Sequence, residues 1–179
     1  MRGAEAILRK DGDFLIKDRI EKKYRIKELD QTLRKGRTRK EANLLRRAKR
    51  AGIPVPEVFS VGEYTIKISL IKGKHPKENI SNVKKAGEIL ARLHSEGIIH
   101  GDFTFANLLL NKKMYVIDFG LGYFSNSIEH KTIDVFTMMR SLHSKKLKDG
   151  FLKSYLSNSK VSKEIRKRLE VIENRVRYS

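Results

Sequence analysis

The clearest chemistry in this chain lies in His100-Gly101-Asp102-Phe103-Thr104-Phe105-Ala106-Asn107 and in Asp118-Phe119-Gly120, which begins eleven residues after Asn107. Phosphoryl transfer needs a carboxylate that orients the accepting hydroxyl, and oxygen ligands for the cation that screens the phosphates. Asp102 and Asn107 stand five apart in one loop and can divide those tasks from a single turn. Asp118, at a strand end, adds the main metal ligand. Taken singly, each motif also reads as turn chemistry, because Asp and Asn bond their own backbone and Asp-Phe-Gly can simply end a strand. Taken together, and bridged by a hydrophobic hairpin, they point to phosphoryl transfer.

Periodicity and chain breakers outline the elements that must position these residues. Residues 4–10 and 13–20 read as a hairpin about Asp11-Gly12. A helix is expected from Asp30, its N-cap, to Ala51, with Gly52 at the C-cap and Pro54 and Pro56 forbidding continuation. On it Glu41 shares a face with Leu44, Leu45 and Ala48. Strands follow at 58–61 and 64–71, then a connector at 72–76 and a helix at 82–96. Short apolar runs at 98–99, 108–110 and 115–117 flank the polar cluster, with a turn at 111–113. The remainder reads as helices at 133–142, 148–156 and 162–176, the last capped by Ser162. The class is α+β: a strand-rich front half with one helix, then a helical back half.

Composition narrows the setting. The 179 residues include 40 Lys and Arg against 21 Asp and Glu, a net charge of +19, which predicts a polyanionic partner such as nucleic acid. Residues 19–50 hold fourteen Lys and Arg and four Asp and Glu, just over half of that excess. Lys22, Lys23, Arg25, Arg37, Arg39 and Lys40 are therefore candidates for RNA contact, although a charge run is also an ordinary solvated face. Arg175 and Arg177 could add a basic edge to the terminal helix, whose apolar face reads first as core packing. The chain has no cysteine, which excludes disulfide scaffolds and thiolate chemistry. No apolar run approaches a membrane span, and the charged first residues do not resemble a secretory signal. A soluble, cytoplasmic protein with no membrane partner is expected.

The two motifs resemble the catalytic loop and Asp-Phe-Gly segment of the protein-kinase superfamily. That resemblance implies a minimal bilobal kinase-like fold, an N-lobe over 1–72 and a C-lobe over 73–179 of one domain. It implies that Lys17 holds the α- and β-phosphates and that Glu41 pairs with it. By order along the chain, the adenine-binding hinge falls at Ser69, Leu70 and Ile71, within 69–73. His100 would brace the loop. Asp134 resembles the buried aspartate that supports the catalytic loop, and reads equally as a helix N-cap. Departures are informative. Gly3-Ala4-Glu5-Ala6 replaces the glycine-rich loop, with Gly3 and Ala4 at the nucleotide. Gly101 stands where an arginine is usual, and sixteen residues separate Asp118 from Asp134, so the activation segment is nearly absent.

This combination resembles the small atypical PRPK-like Ser/Thr kinases that serve as a subunit of the KEOPS complex. The likeness spans the whole chain through 3–6, Lys22-Lys23-Tyr24-Arg25, 37–42, His100-Gly101-Asp102 and Asp118-Phe119-Gly120-Leu121-Gly122. It implies ATP and Mg²⁺ as cofactors, the nucleotide held through Lys17 and the metal through Asn107 and Asp118, with Asp102 catalytic. It also implies self-phosphorylation and an ATP hydrolysis that supports threonylcarbamoyladenosine formation on tRNA. The implied partners are a sugar-kinase-like threonylcarbamoyl transferase, other KEOPS subunits and tRNA. Alternatives are a RIO-type kinase, against which the intact Asp118-Phe119-Gly120 argues, a small-molecule phosphotransferase, and a pseudokinase scaffold. No residues remain for a first kinase strand before Ala6. The expectation is a four-stranded sheet, a poorly paired N-terminus, and a chain cut from a longer fusion with the transferase upstream.

Overall fold

The computed structural model describes residues 6–177. Gly3, Ala4 and the expected loose N-terminus lie outside the described residues, as do the side chains of Arg175 and Arg177. The front of the molecule is an antiparallel sheet of four strands among the described residues: β1 (Ala6–Asp11), β2 (Phe14–Arg19), β3 (Val58–Val61) and β4 (Thr65–Ser69), in spatial order β1-β2-β4-β3. Gly12, at φ 59°, makes the turn between the first two. The register pairs Lys17 with Leu8 on one side and Ile66 on the other. Along β2 the buried positions are Lys17 and Arg19, which alternation sends to one face. That face lies under α1 (Lys27–Arg50).

Helix α1 begins three residues before the expected start, so Asp30 is not its N-cap. Asp30 lies in the first turn, 1% exposed, accepting from the Arg34 Nε at 2.6 Å and from the Lys22 backbone N–H at 3.3 Å. Burial opposes its ionisation, yet Arg34, Lys22 and Arg25 together hold its carboxyl below the usual range. The acid therefore pins the basic segment 22–25 against the helix instead of starting the helix.

The back half is helical, with one short hairpin and one two-residue strand pair inserted. Helix α2 (Ile80–Ser95) is capped by Asn79, whose side chain accepts from the Asn82 N–H. After it come β5 (Ile98–Ile99), a single 3₁₀ turn at Phe105–Asn107, β6 (Leu108–Asn111), β7 (Lys113–Val116) and β8 (Tyr123–Phe124). Strand β8, too short to leave a periodic signal, pairs with β5. Helix α3 (Ile128–Ser141) starts five residues before the expected boundary, which removes the N-cap reading of Asp134. Helix α4 (Lys145–Asn158) is capped by Ser144, and Ser162 is the first residue of α5 (Ser162–Arg177), not its cap. No helix among the described residues is long and apolar enough to cross a membrane.

One core joins the two halves. Leu44, Leu45 and Ala48 of α1, Val83, Leu90 and Leu93 of α2, and Phe103, Phe119, Val135, Met138, Phe151 and Tyr155 are all at most 2% exposed. Helices α2 and α4 approach closely because Gly87 leaves room: a Cβ there would sit 2.7 Å from the Phe151 carbonyl and 2.9 Å from the Tyr155 nitrogen. These are backbone atoms and cannot step aside. Gly87→Val should therefore destabilise the protein by about 3 kcal/mol, the upper part of the overpacking range, measured by urea denaturation. A loss below about 0.5 kcal/mol would contradict this packing.

Candidate active site

Lys17, Glu41 and Asp118 come from three distant parts of the chain and meet at one point. The Lys17 Nζ donates to Glu41 Oε1 at 2.8 Å and to Asp118 Oδ1 at 2.7 Å. Glu41 reaches it because α1 turns its Leu44–Ala48 face inward, carrying the acid along. Arg19, two residues beyond Lys17 on the same strand face, donates from Nη2 to Glu41 Oε2 at 2.5 Å. Glu41 is 2% exposed and thus holds one cation on each carboxylate oxygen. A lone buried carboxylate would cost several kcal/mol, and the two cations offset that cost. Arg19 did not emerge from the sequence reading. Its signal was the two-residue spacing from Lys17, which was masked by the many other basic residues around it.

Asp118 adopts φ 60°, a conformation that Asp and Asn tolerate better than other residues with a Cβ. Its Oδ1 also accepts from the Gly120 N–H at 3.2 Å. Burial opposes its ionisation, but the Lys17 ammonium outweighs that and holds the carboxyl below the usual range.

The catalytic-loop residues are set by Asp134, which is fully buried in the middle of α3. Its Oδ2 accepts from the His100 N–H at 2.6 Å and its Oδ1 from the Gly101 N–H at 2.8 Å. The His94 Nε2 lies 3.3 Å from the same Oδ2, and its Nδ1 lies 2.7 Å from the Tyr155 hydroxyl. An acceptor at Asp134 requires His94 to carry its proton on Nε2, so Tyr155 donates to Nδ1. His100 donates from Nε2 to the Ile117 carbonyl at 3.0 Å and takes the Asp102 N–H on Nδ1 at 3.3 Å. It packs edge-on to Phe103 and tilted on Phe119. His100 is thus a brace linking the two motifs. Gly101 has φ 81°, and a Cβ on it would stand 2.6 Å from the Leu121 carbonyl, so no side chain fits there.

Asn107 donates from Nδ2 to the Asp102 carbonyl at 2.8 Å and to Asp102 Oδ2 at 2.9 Å, which orients the exposed Asp102 carboxylate. Asn107 and Asp118 both face a cleft of about 470 Å³ whose polar end also holds Lys17, Arg19, Glu41 and Gly120. Its apolar walls include Leu15, Ile68, Leu109 and Ile117, and Ser69, Leu70 and Ile71 form one rim. In that rim the Ser69 N–H bonds Glu57 and the Leu70 N–H bonds Asp13, which leaves the Ile71 N–H without a backbone partner among the described residues. The donor set offered by Asp118 and Asn107 is all oxygen. It suits Mg²⁺, which is usually held by one or two carboxylates with phosphate and water completing its shell.

The structure spreads the candidate RNA residues over two places. Lys22, Lys23 and Arg25 lie in the segment pinned by Asp30, with Arg25 also over the Tyr24 ring. Arg37, Arg39 and Lys40 lie midway along α1, Arg39 and Lys40 being exposed.

Comparison with known proteins places these features. The RIO domain family model matches residues 10–141. A probable serine/threonine-protein kinase BUD32 homolog of Archaeoglobus fulgidus is 41% identical over 184 residues, covering 98% of this chain and 94% of the relative. The KEOPS complex subunit Bud32 of Pyrococcus abyssi is 39% identical over 184 residues, covering 92% and 84%. A probable bifunctional tRNA threonylcarbamoyladenosine biosynthesis protein of Methanosarcina acetivorans is 40% identical over 190 residues. The match covers 99% of this chain but 35% of that protein, so the chain spans about a third of its length. Among solved structures, the Rio2 kinase–ADP/Mg²⁺–phosphoaspartate complex of Chaetomium thermophilum has the same fold, at TM-score 0.67, 19% identity, and coverage of 100% and 70%. The Asp118-Phe119-Gly120 motif thus does not set the chain apart from RIO-type domains, contrary to the expectation from sequence.

Two predictions follow from the buried polar groups. Burial pushes the His94 and His100 imidazoles below their usual pKa against the opposing pull of Asp134. The unfolded histidines take up protons below about pH 6.5, and the folded ones do so only at lower pH. Stability is therefore fully present above about pH 6.5 and declines as pH falls below it, by up to about 1.4 kcal/mol per pH unit for each histidine. Urea denaturation between pH 7.5 and 5.5 should show this slope, and His94→Gln should reduce it; a flat profile would contradict the neutral network. Separately, Arg19→Met should lower stability by about 2 kcal/mol through loss of a charged hydrogen bond, and Arg19→Lys should recover part of it.

Proposed function

The chain belongs to the RIO-domain family and within it to the Bud32 kinases, and we propose that it is an ATP-dependent Ser/Thr protein kinase and ATPase. In this reading it works in the cytoplasm within a KEOPS assembly, beside a threonylcarbamoyl transferase, and supports threonylcarbamoyladenosine formation on tRNA. The observation that carries the catalytic part is the convergence of Lys17 on Glu41 and Asp118 at 2.8 and 2.7 Å, in a cleft that also presents Asn107. The names of the relatives support the rest, one being a KEOPS subunit and another a bifunctional biosynthesis protein. The domain divides as an N-lobe over 1–72 and a C-lobe over 73–179, with the cleft between them.

Each residue then has a task. The apolar walls would take the adenine, and the Ile71 N–H would be the donor to it. Lys17 exchanges the Asp118 oxygen for phosphate oxygens while Glu41 keeps its ammonium aimed. Arg19 keeps Glu41 compensated during that exchange. Asp118 and Asn107 would hold Mg²⁺, which when bound screens the charge on the phosphoryl oxygens. The Asp102 carboxylate, oriented by Asn107, accepts a hydrogen bond from the attacking hydroxyl or water and aligns it.

The test is magnesium-dependent ATP turnover. Asp118→Asn keeps a side chain that tolerates the left-handed backbone and removes the charge. It should cut turnover by about 10²-fold or more with the fold retained by circular dichroism, as should Asp102→Ala. Wild-type turnover in Asp118→Asn would overturn the kinase reading. Turnover indifferent to added tRNA and transferase would overturn its link to tRNA modification.

A further inference from the structure

Arg46 and Arg50 stand one turn apart on the outer face of α1, both exposed and without an ion-pair partner among the described residues. Four other cations of the same helix are neutralised, Arg34 by Asp30, Lys35 by Glu63, Arg47 by Glu96 and Lys49 by Glu57, while Arg39 and Lys40 are also exposed without an ion pair among the described residues but border no groove. Arg46 and Arg50 overlook a groove of about 600 Å³ between α1 and the turns that flank the β5–β8 strand pair, which the Arg47–Glu96 ion pair also lines. Asn43 and Asn126 line its sides, and Phe124 contributes a ring that is 51% exposed. The groove is firmly built. Phe124 pairs with the fully buried Ile98, and the Ser125 N–H bonds the Gly97 carbonyl at 2.8 Å. Gly97 has φ 68°, which disfavours any other residue there, and a Cβ would press on Asn126 Oδ1 at 3.1 Å.

We propose that this groove binds a single-stranded segment of RNA, with phosphates on Arg46 and Arg50 and a base stacked on Phe124. Guanidinium forks match phosphate oxygens, a net charge of +19 draws polyanions, and an exposed aromatic ring beside them gives a base its π-face. The two amides can meet base edges. An acidic peptide would use the arginines but has no need of the ring, which is why RNA is favoured. The groove is also close to the chemistry by chain path: β5 runs directly into His100, and β8 follows Asp118 through Gly122. This inference deepens the proposed tRNA-linked role by naming a contact surface, and rests on it.

Fluorescence anisotropy of a labelled oligouridylate about ten nucleotides long, on the full chain, tests the assignment. Arg46→Glu with Arg50→Glu should weaken binding more than about ten-fold and flatten the slope of log affinity against log salt by about 1.4, the single-strand value for two phosphate contacts. Phe124→Ala should weaken binding about ten-fold without changing that slope. None of these residues lines the nucleotide cleft, so ATP turnover read in parallel should equal the wild type. Unchanged RNA affinity in the double variant would overturn the proposal. So would a silent Phe124→Ala combined with displacement of the RNA by oligoglutamate at equal charge, which would mark the groove as a surface for an acidic protein. Because turnover is measured separately, failure of the groove and failure of the kinase reading give different results.

Discussion

Burying a carboxylate to 2% exposure costs several kcal/mol unless cations accompany it, and Glu41 is such a group. Much of the front half follows from that requirement. Strand β2 must place two basic residues on one face, two apart, and must lie under α1. Helix α1 must present an acid among its apolar residues, with Leu44, Leu45 and Ala48 packed around it to exclude water. Lys17 then extends the cluster to Asp118, so a single ammonium ties the sheet to the segment that follows β7. Arg19 gives Glu41 a second cation on its other oxygen, so the acid does not depend on Lys17 alone.

Asp134 plays the corresponding part in the back half. It is a buried acid with two backbone N–H groups and one imidazole as donors, and it fixes the loop from His100 to Asp102. The brace continues through His94 to Tyr155 of α4 and through His100 to Ile117. Burial holds both imidazoles and the Tyr155 hydroxyl toward their neutral forms, which suits a dry interior. The loop is thereby held by internal contacts. No arginine is needed at 101, and the short stretch between Asp118 and Asp134 has only to close a two-residue strand pair.

Much of this was legible in the sequence. The Lys17, Glu41, Asp102, Asn107 and Asp118 set could be read because each sits at a fixed place relative to turns and helices that have strong local signals. Strand β3 and the pairing run at 98–99 were placed to the residue, since Pro, Gly and short apolar runs bound them tightly. Helix starts were less legible. Asp30 looked like a cap because capping acids and buried acids are the same residue type, and only the tertiary partners Arg34 and Arg25 separate them. Asp134 was ambiguous for the same reason. Arg19 and the Arg46–Arg50 pair were hidden in a run where basic residues are common. What distinguishes them is burial in one case and an adjoining groove in the other, and neither leaves a trace in spacing.

The central claim is that the Lys17 ammonium, held by Glu41 and placed at Asp118, also serves the nucleotide phosphates, while Glu41 stays seated by Arg19. A crystal structure with magnesium and a non-hydrolysable ATP analogue tests it directly. The account predicts Lys17 Nζ within hydrogen-bond distance of the phosphates, Asp118 turned to the metal, and both the Lys17–Glu41 and Arg19–Glu41 contacts preserved. A nucleotide bound with its phosphates away from Lys17, or with Lys17 still on Asp118, would contradict it.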